Sequence, residues 1–280
     1  EKYLDQRRRD RFALFCNMGP EDIISNPDVD FIYEVPLVLK DQDLDKKILQ
    51  KLGLKVKPSN IQAWKKFVES VKANPPAGGK KEIEIAIVGK YFGTGDYQLR
   101  DSYAALFDAI DHAGWKLGAK VKTKWIDAEK VESAIGKARA DKKDEADVLK
   151  EIIGTPHGIV VPIGWGVRGA EGMILAASYA RKNQIPYLGL CYGMQLATIA
   201  YARDVLGWQD ANTTENNPKS KHPVVSMIEK QKSLMKRRAY GGTMRLGGWQ
   251  AMVKEGTRTY ELYEKYGGFI NNKKGLTSER

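Results

Sequence analysis

Gly189-Leu190-Cys191-Tyr192-Gly193 sets a cysteine between two glycines, after the apolar run Ile185-Pro186-Tyr187-Leu188 and ahead of a helical pattern over residues 194 to 206. Strand, sharp turn and helix in that order make a nucleophile elbow. Small neighbours let the backbone take a strained turn and push one side chain into the open. The N–H groups that begin the following helix point at that side chain and favour thiolate over thiol. The chemistry expected is covalent catalysis by Cys191. The alternative is a buried structural cysteine at a strand end.

A second turn, Val161-Pro162-Ile163-Gly164-Trp165-Gly166, follows a strand facing the elbow. Backbone N–H groups around Ile163 and Gly164 can receive a developing oxyanion, with the N–H of Tyr192 as the other donor. An ordinary strand–helix turn uses glycine equally well.

These turns need a frame, and the pattern from Glu82 onward supplies one. Strands are predicted over residues 83–89, 120–126, 159–161 and 187–190. Helices are predicted over 102–113, 128–140 with a charged continuation to 150, 170–182 and 194–206. Alternation at this spacing means an α/β fold whose parallel sheet is covered on both faces, with active residues at the carboxyl ends of its strands. Gly164-Trp165-Gly166 and Cys191 both fall there. Further on, residues 221–228 and 245–253 read as strands or hairpin arms joined by a basic, glycine-containing loop.

The region before Glu82 is different. Residues 1–56 hold a strand candidate, Phe12-Ala13-Leu14-Phe15-Cys16-Asn17, and a small helix over 43–52. They read as the end of a domain whose beginning is missing, which a start at Glu1 fits. Residues 57–81 read as a linker, with an amphipathic helix over 61–72 carrying Trp64, Phe67 and Val71, then the Pro/Gly-rich Asn74-Pro75-Pro76-Ala77-Gly78-Gly79.

Composition excludes several classes. The chain has 280 residues, 42% hydrophobic and 29% charged, and its apolar runs are too short for a bilayer-spanning helix. The charged N-terminus has no signal-peptide core, and Cys16 and Cys191 are too few to staple a secreted fold, so a cytoplasmic protein with reduced thiols is expected. The net charge is +11, but apart from Arg7 to Arg9 with Arg11, and Lys232 with Lys236 to Arg238, the basic residues are dispersed. Without an aromatic-interleaved basic stripe, this suits phosphate contacts better than nucleic acid. Three histidines without Cys/His spacing leave no usual metal site.

Motifs along nearly the whole chain resemble the CTP synthase family. They are Phe12 to Asn17 with Asp28-Val29-Asp30-Phe31-Ile32-Tyr33-Glu34-Val35-Pro36, then Val88-Gly89-Lys90-Tyr91, Asp101-Ser102-Tyr103, Leu188 to Gln195, and Gly241-Gly242-Thr243-Met244-Arg245-Leu246-Gly247. The resemblance implies a partial P-loop-type amidoligase (synthetase) domain over 1–56, a linker over 57–81, and a class I glutamine amidotransferase domain of flavodoxin-like fold over 82–280. It implies glutamine hydrolysis, internal passage of ammonia, and amination of UTP to CTP with ATP and Mg2+. GTP acts as activator, and the assembly is a homotetramer, often filament-forming. Cys191 becomes the nucleophile. Ile163, Gly164 and Tyr192 form the oxyanion site. Trp165, Gln195 and Glu215 hold glutamine, Arg168, Gly169 and Glu171 match a mobile lid, and Thr243 and Arg245 are linked to GTP.

There are two departures. Ile163 replaces the first glycine of the family's P-G-G-F-G, and if that position needs positive φ, a β-branched residue there is strained. Nor does a His-x-Glu, the base and its orienter, occur in the chain: His112 sits in a helix, and His157 and His222 precede strands as ordinary surface or strand-end histidines. Truncation before the family's C-terminal "HPE" accounts for this. Two other readings stay open: another class I amidotransferase, or a pseudo-glutaminase kept for binding, which Ile163 favours.

Overall fold

The predicted strand at Phe12–Asn17 is helical instead. Asp5 accepts the N–H of Arg8 and starts α1 (Gln6–Cys16), and Asn17, at φ 51°, closes it in the left-handed conformation. The apolar run was misread because its side chains are not sheet-buried: Leu14 is 80% exposed and Phe15 81%. Two short helices follow, α2 (Val35–Asp41) and α3 (Leu44–Lys51), and then the linker helix α4 (Gln62–Lys72). The rings of Trp64 and Phe67 on α4 pack against Tyr33, whose carbonyl accepts the Trp64 indole N–H at 2.8 Å.

This computed structural model describes residues 2–73, 82–94, 97–98, 101–228, 233, 248–271 and 273–279. The Pro/Gly-rich part of the linker and the glycine-rich segment 241–247, with Thr243 and Arg245, lie outside them. The chain divides into two compact units, Glu1–Tyr201 and Ala202–Arg280.

The first unit is built on β1 (Glu82–Gly89), whose Ala86, Ile87 and Val88 are fully buried. Two-residue strands β2 (Gly93–Thr94) and β3 (Tyr97–Gln98) pair antiparallel after it. Then come α5 (Ala104–Leu117), β4 (Lys120–Asp127) and α6 (Ala128–Ala140). The charged continuation after α6 proves to be a separate helix, α7 (Glu145–Ile153), capped by Asp144 and tied back by the Arg139–Glu145 pair at 2.8 Å, with Leu149 and Ile153 buried beneath it. β5 (Gly158–Val161), α8 (Ala170–Lys182), β6 (Tyr187–Gly189) and α9 (Tyr192–Val205) complete the alternation.

β1, β4, β5 and β6 form one parallel sheet in the order β4-β1-β5-β6. The chain leaves β1 for β4 on one side, then returns past β1 to β5 on the other. The topological switch point therefore lies between β1 and β5, where such sheets open a crevice beyond their carboxyl ends. One sheet face is covered by α5 through a core of Ile87, Phe92, Tyr103, Phe107 and Val160, with Trp125 stacked on Phe92. His112 and Trp115, also on α5, meet Tyr33 from the N-terminal segment, so that segment and α5 share one aromatic cluster.

In the second unit, β7 (Asn212–Thr213) pairs in parallel with β8 (Pro223–Val225). β9 (Trp249–Met252) pairs antiparallel with β10 (Leu276–Glu279), and α10 (Arg258–Tyr266) lies between these two in sequence. The two arms expected to form one hairpin thus take different partners. A period-2 pattern marks a strand but carries no information about which strand it pairs with.

Candidate active site

The ends of β1 and β5, which flank the switch point, and of β6 beside them each carry backbone in the left-handed region. Beyond β1 is Tyr91 at φ 65°, beyond β5 is Gly166 at φ 72°, and beyond β6 is Cys191 at φ 52°. For a cysteine this conformation costs roughly 1–2 kcal/mol and persists only where surrounding structure imposes it. Here the surroundings do. The N–H of Leu190 donates to the Val161 carbonyl at 2.9 Å, the N–H of Gly193 turns back to the Leu190 carbonyl at 3.0 Å, and the Tyr187 hydroxyl donates to the Gly193 carbonyl at 2.8 Å. Cys191 is exposed and free, directly before the first residue of α9. The expected elbow is therefore present in full, and the buried structural cysteine is excluded.

The glycines around Cys191 are fixed by close approach. A β-carbon on Gly193 would sit 2.0 Å from the Val161 carbonyl oxygen, and one on Gly189 would sit 2.6 Å from the Gly193 carbonyl carbon. The elbow is thus pressed against the end of β5, next to the second turn. There Gly164 packs on the Tyr192 ring, a β-carbon on it lying 3.3 Å from the ring edge. Tyr192 itself is 1% exposed, and its hydroxyl donates to the Gly166 carbonyl at 2.8 Å.

Ile163 corrects an expectation. It is not among the residues with positive φ, and its side chain is 44% exposed. The position needs no glycine, the turn carries no strain from a β-branched residue, and Ile163 gives no ground for an impaired loop. Ile163→Gly should therefore bring no gain in unfolding temperature, since no strain is there to be relieved. A rise in unfolding temperature would show the isoleucine to be strained in its turn.

The other expected site residues fall as follows. Trp165 is 51% exposed at the tip of the turn. Gln195 is half-buried one helical turn beyond Cys191, its N–H donating to the Cys191 carbonyl at 3.2 Å. Arg168 pairs with Glu129 at 3.3 Å and lies over the Tyr91 ring. Gly169, at φ 71°, caps α8, and the N–H groups of Glu171 and Gly172 both donate to the Glu132 carboxylate from α6, an anion at a helix N-terminus. The expected lid residues are thus the anchored start of α8 in this structure. Glu215 belongs to the second unit, exposed in the turn after β7 with its N–H on the Thr213 hydroxyl.

The histidines are occupied elsewhere. His157 accepts the Glu84 N–H at 3.0 Å, near the amino end of β1, and His112 bonds the Tyr33 hydroxyl. His222 bonds Asp210 at 2.5 Å under the Trp208 ring, and this bond holds the Asp210 carboxyl below the usual range.

Sequence reasoning passed over Lys90 and Tyr103, quoting both in motifs without giving them work. Lys90 is 1% exposed, and its Nζ donates to the carbonyls of Trp165 at 2.6 Å and Gly166 at 2.8 Å. The signal was available: a lysine one glycine beyond the fully apolar Ile85-Ala86-Ile87-Val88 must either snorkel out or find acceptors inside.

A strained cysteine at a helix N-terminus, beside a glycine turn at a parallel-sheet switch point, is equipped for acyl transfer through a thioester. The chain belongs to the class-I glutamine amidotransferase family: residues 98–264 match the family described as "Glutamine amidotransferase class-I". Its particular kinship is with CTP synthases. Residues 1–54 match the family "CTP synthase N-terminus". The CTP synthase of Sulfolobus acidocaldarius is 44% identical over 260 residues, covering 93% of this chain and 44% of that protein. The CTP synthase of Pyrococcus abyssi is 40% identical over 265 residues, covering 95% of this chain and 44% of that protein. The chain therefore spans less than half the length of these relatives. Among solved structures, the Trypanosoma brucei CTPS glutaminase domain with bound acivicin superposes with a TM-score of 0.56 at 31% identity, over 71% of this chain and 65% of that one.

Proposed function

We propose that this chain is the glutamine-hydrolysing portion of a CTP synthase together with the adjoining end of its synthetase domain. The domain limits are those read from sequence: 1–56, 57–81 and 82–280. The observation that supports this reading most is the occurrence in one chain of a CTP synthase N-terminal match and a class I amidotransferase whose Cys191 stands in an imposed left-handed turn.

In this reading the Cys191 thiolate attacks the glutamine side-chain carbonyl. The negative charge that develops on its oxygen is received by backbone N–H groups of the Ile163–Gly164 turn and of Tyr192. Collapse of that intermediate releases ammonia and leaves a glutamyl thioester, which water hydrolyses. Gln195 holds the amino-acid end of glutamine, with Trp165 beside it. Arg168, Gly169 and Glu171 close over the site, and Thr243 and Arg245 relay the presence of GTP. ATP with Mg2+ activates the uracil O4 of UTP in the synthetase half, and ammonia displaces the phosphate to give CTP. The triad's His-x-Glu is not among these 280 residues, so the reading gives this chain the nucleophile and oxyanion donors but not the base. A cytoplasmic homotetramer is the assembly expected.

The test is CTP formation by the full-length gene product with ATP, UTP and GTP, from glutamine and from ammonium chloride in parallel. CTP from both nitrogen sources supports the reading, and CTP from neither overturns it.

A further inference from the structure

Resting on the glutaminase reading above, we propose that Lys90 and Tyr103 are positioning residues for glutamine hydrolysis: from inside the fold they set the peptide orientations of the oxyanion turn. In a trans peptide the carbonyl and the following N–H point in opposite directions across a rigid plane. A group that holds one carbonyl inward therefore turns the next N–H outward. The Tyr103 hydroxyl donates to the Ile163 carbonyl at 3.1 Å, which directs the Gly164 N–H away from the core. The same hydroxyl accepts the Lys90 N–H at 3.2 Å, so one oxygen ties the end of β1 to the turn after β5. Lys90 Nζ holds two carbonyls further along the turn, those of Trp165 and Gly166, and lies 4.9 Å from the centre of the Tyr192 ring. Tyr192, whose N–H is the other oxyanion donor, binds the Gly166 carbonyl through its own hydroxyl.

Three buried donors thus fix three carbonyls of this turn, at Ile163, Trp165 and Gly166, and one of those donors belongs to the elbow. Glycine-rich backbone has many accessible peptide orientations, and its N–H groups assist an oxyanion only when aimed beforehand. A fully buried ammonium costs several kcal/mol of lost hydration, more than a plain structural contact needs to spend. Its place at the switch point gives that cost a use. Burial also pushes the Tyr103 hydroxyl up to about 12, so it remains a donor throughout the working pH range.

The test uses the full-length gene product and the variants Tyr103→Phe and Lys90→Met. Steady-state glutaminase kinetics are paired with binding of glutamate γ-semialdehyde, an aldehyde analogue of glutamine. In its adduct the Cys191 Sγ–C bond forms as the carbonyl π bond breaks, and the thiol proton passes to the former carbonyl oxygen, which occupies the oxyanion position. Removing one oxyanion donor costs about 100- to 1,000-fold in kcat, so misaiming it by Tyr103→Phe should cost about 10- to 100-fold. KM should change by no more than about twofold, the pattern of an interaction made only in the transition state. Affinity for the aldehyde should fall in parallel with kcat/KM while affinity for glutamate is kept. Tyr103→Phe leaves the ring in its core and carries the test alone if Lys90→Met does not fold. Unchanged kcat, a rise in KM alone, or equal loss of aldehyde and glutamate affinity would overturn the proposal. A wild-type enzyme inert towards glutamine overturns the glutaminase reading, and this proposal with it.

Discussion

Cys191→Ala in the full-length gene product is expected to abolish CTP formation from glutamine and to leave CTP formation from ammonium chloride within about twofold of wild type. The size of the first effect follows from the role. A nucleophile that forms a covalent intermediate has no substitute in its site, and its removal costs on the order of 10^4- to 10^6-fold in kcat. The second effect follows from the structure. Cys191 is exposed at the end of β6, and its side chain fills no part of the core. Alanine keeps the β-carbon and relaxes nothing in the turn, because the left-handed conformation is imposed by the backbone N–H bonds of Leu190 and Gly193 and by the Tyr187 hydroxyl. Loss of both nitrogen routes would mean that Cys191 holds the fold together. Retention of the glutamine route would remove it as nucleophile and with it the glutaminase reading.

Much of this was legible in the residues, and the reasons differ from place to place. The parallel sheet was readable because its strands are short apolar runs separated by helices of regular length, and α8 ends where its pattern ends. The elbow was readable because its strand, glycine-flanked cysteine and helix fall in one short window, although the need for Gly193 comes from Val161 on β5. The helix α1 was not, since an apolar hexapeptide is consistent with strand or helix, and Asp5 and Asn17, the capping residues that decide it, lie outside that hexapeptide or at its edge. The effect of Ile163 was not legible because it turns on whether position 163 needs positive φ, and in this turn the left-handed residue is Gly166. The clamp of Lys90 and Tyr103 joins residues 13 to 76 positions apart. No window of sequence contains it, so it had to be read from distances.

The glycine at 193 should prove intolerant of even one methyl group, and here two effects oppose one another. In a helix, alanine in place of glycine is favoured by about 0.8–1 kcal/mol, and position 193 lies in the first turn of α9. Against that, the added carbon would stand 2.0 Å from the Val161 carbonyl oxygen and close to the Val161 side chain. That oxygen cannot rotate away, because it accepts the Leu190 N–H and belongs to the strand that pairs with β6. Relief requires moving the elbow off β5, which forfeits this bond and the seat of Tyr192 against Gly164. Overpacking of this kind costs about 1–3 kcal/mol and sometimes more, so the steric effect wins. Gly193→Ala should lower the unfolding temperature and depress glutamine-dependent activity at least tenfold, whereas ammonia-dependent activity of the protein that folds is retained. Gly166→Ala is the matched comparison. Nothing lies within 4 Å of its added carbon, so only the left-handed backbone resists, at about 1–2 kcal/mol. Thermal unfolding of both variants beside wild type separates the cases. If Gly193→Ala is as stable as wild type, the elbow does not press on β5 as described, and the contact that aligns nucleophile and oxyanion turn must be sought elsewhere.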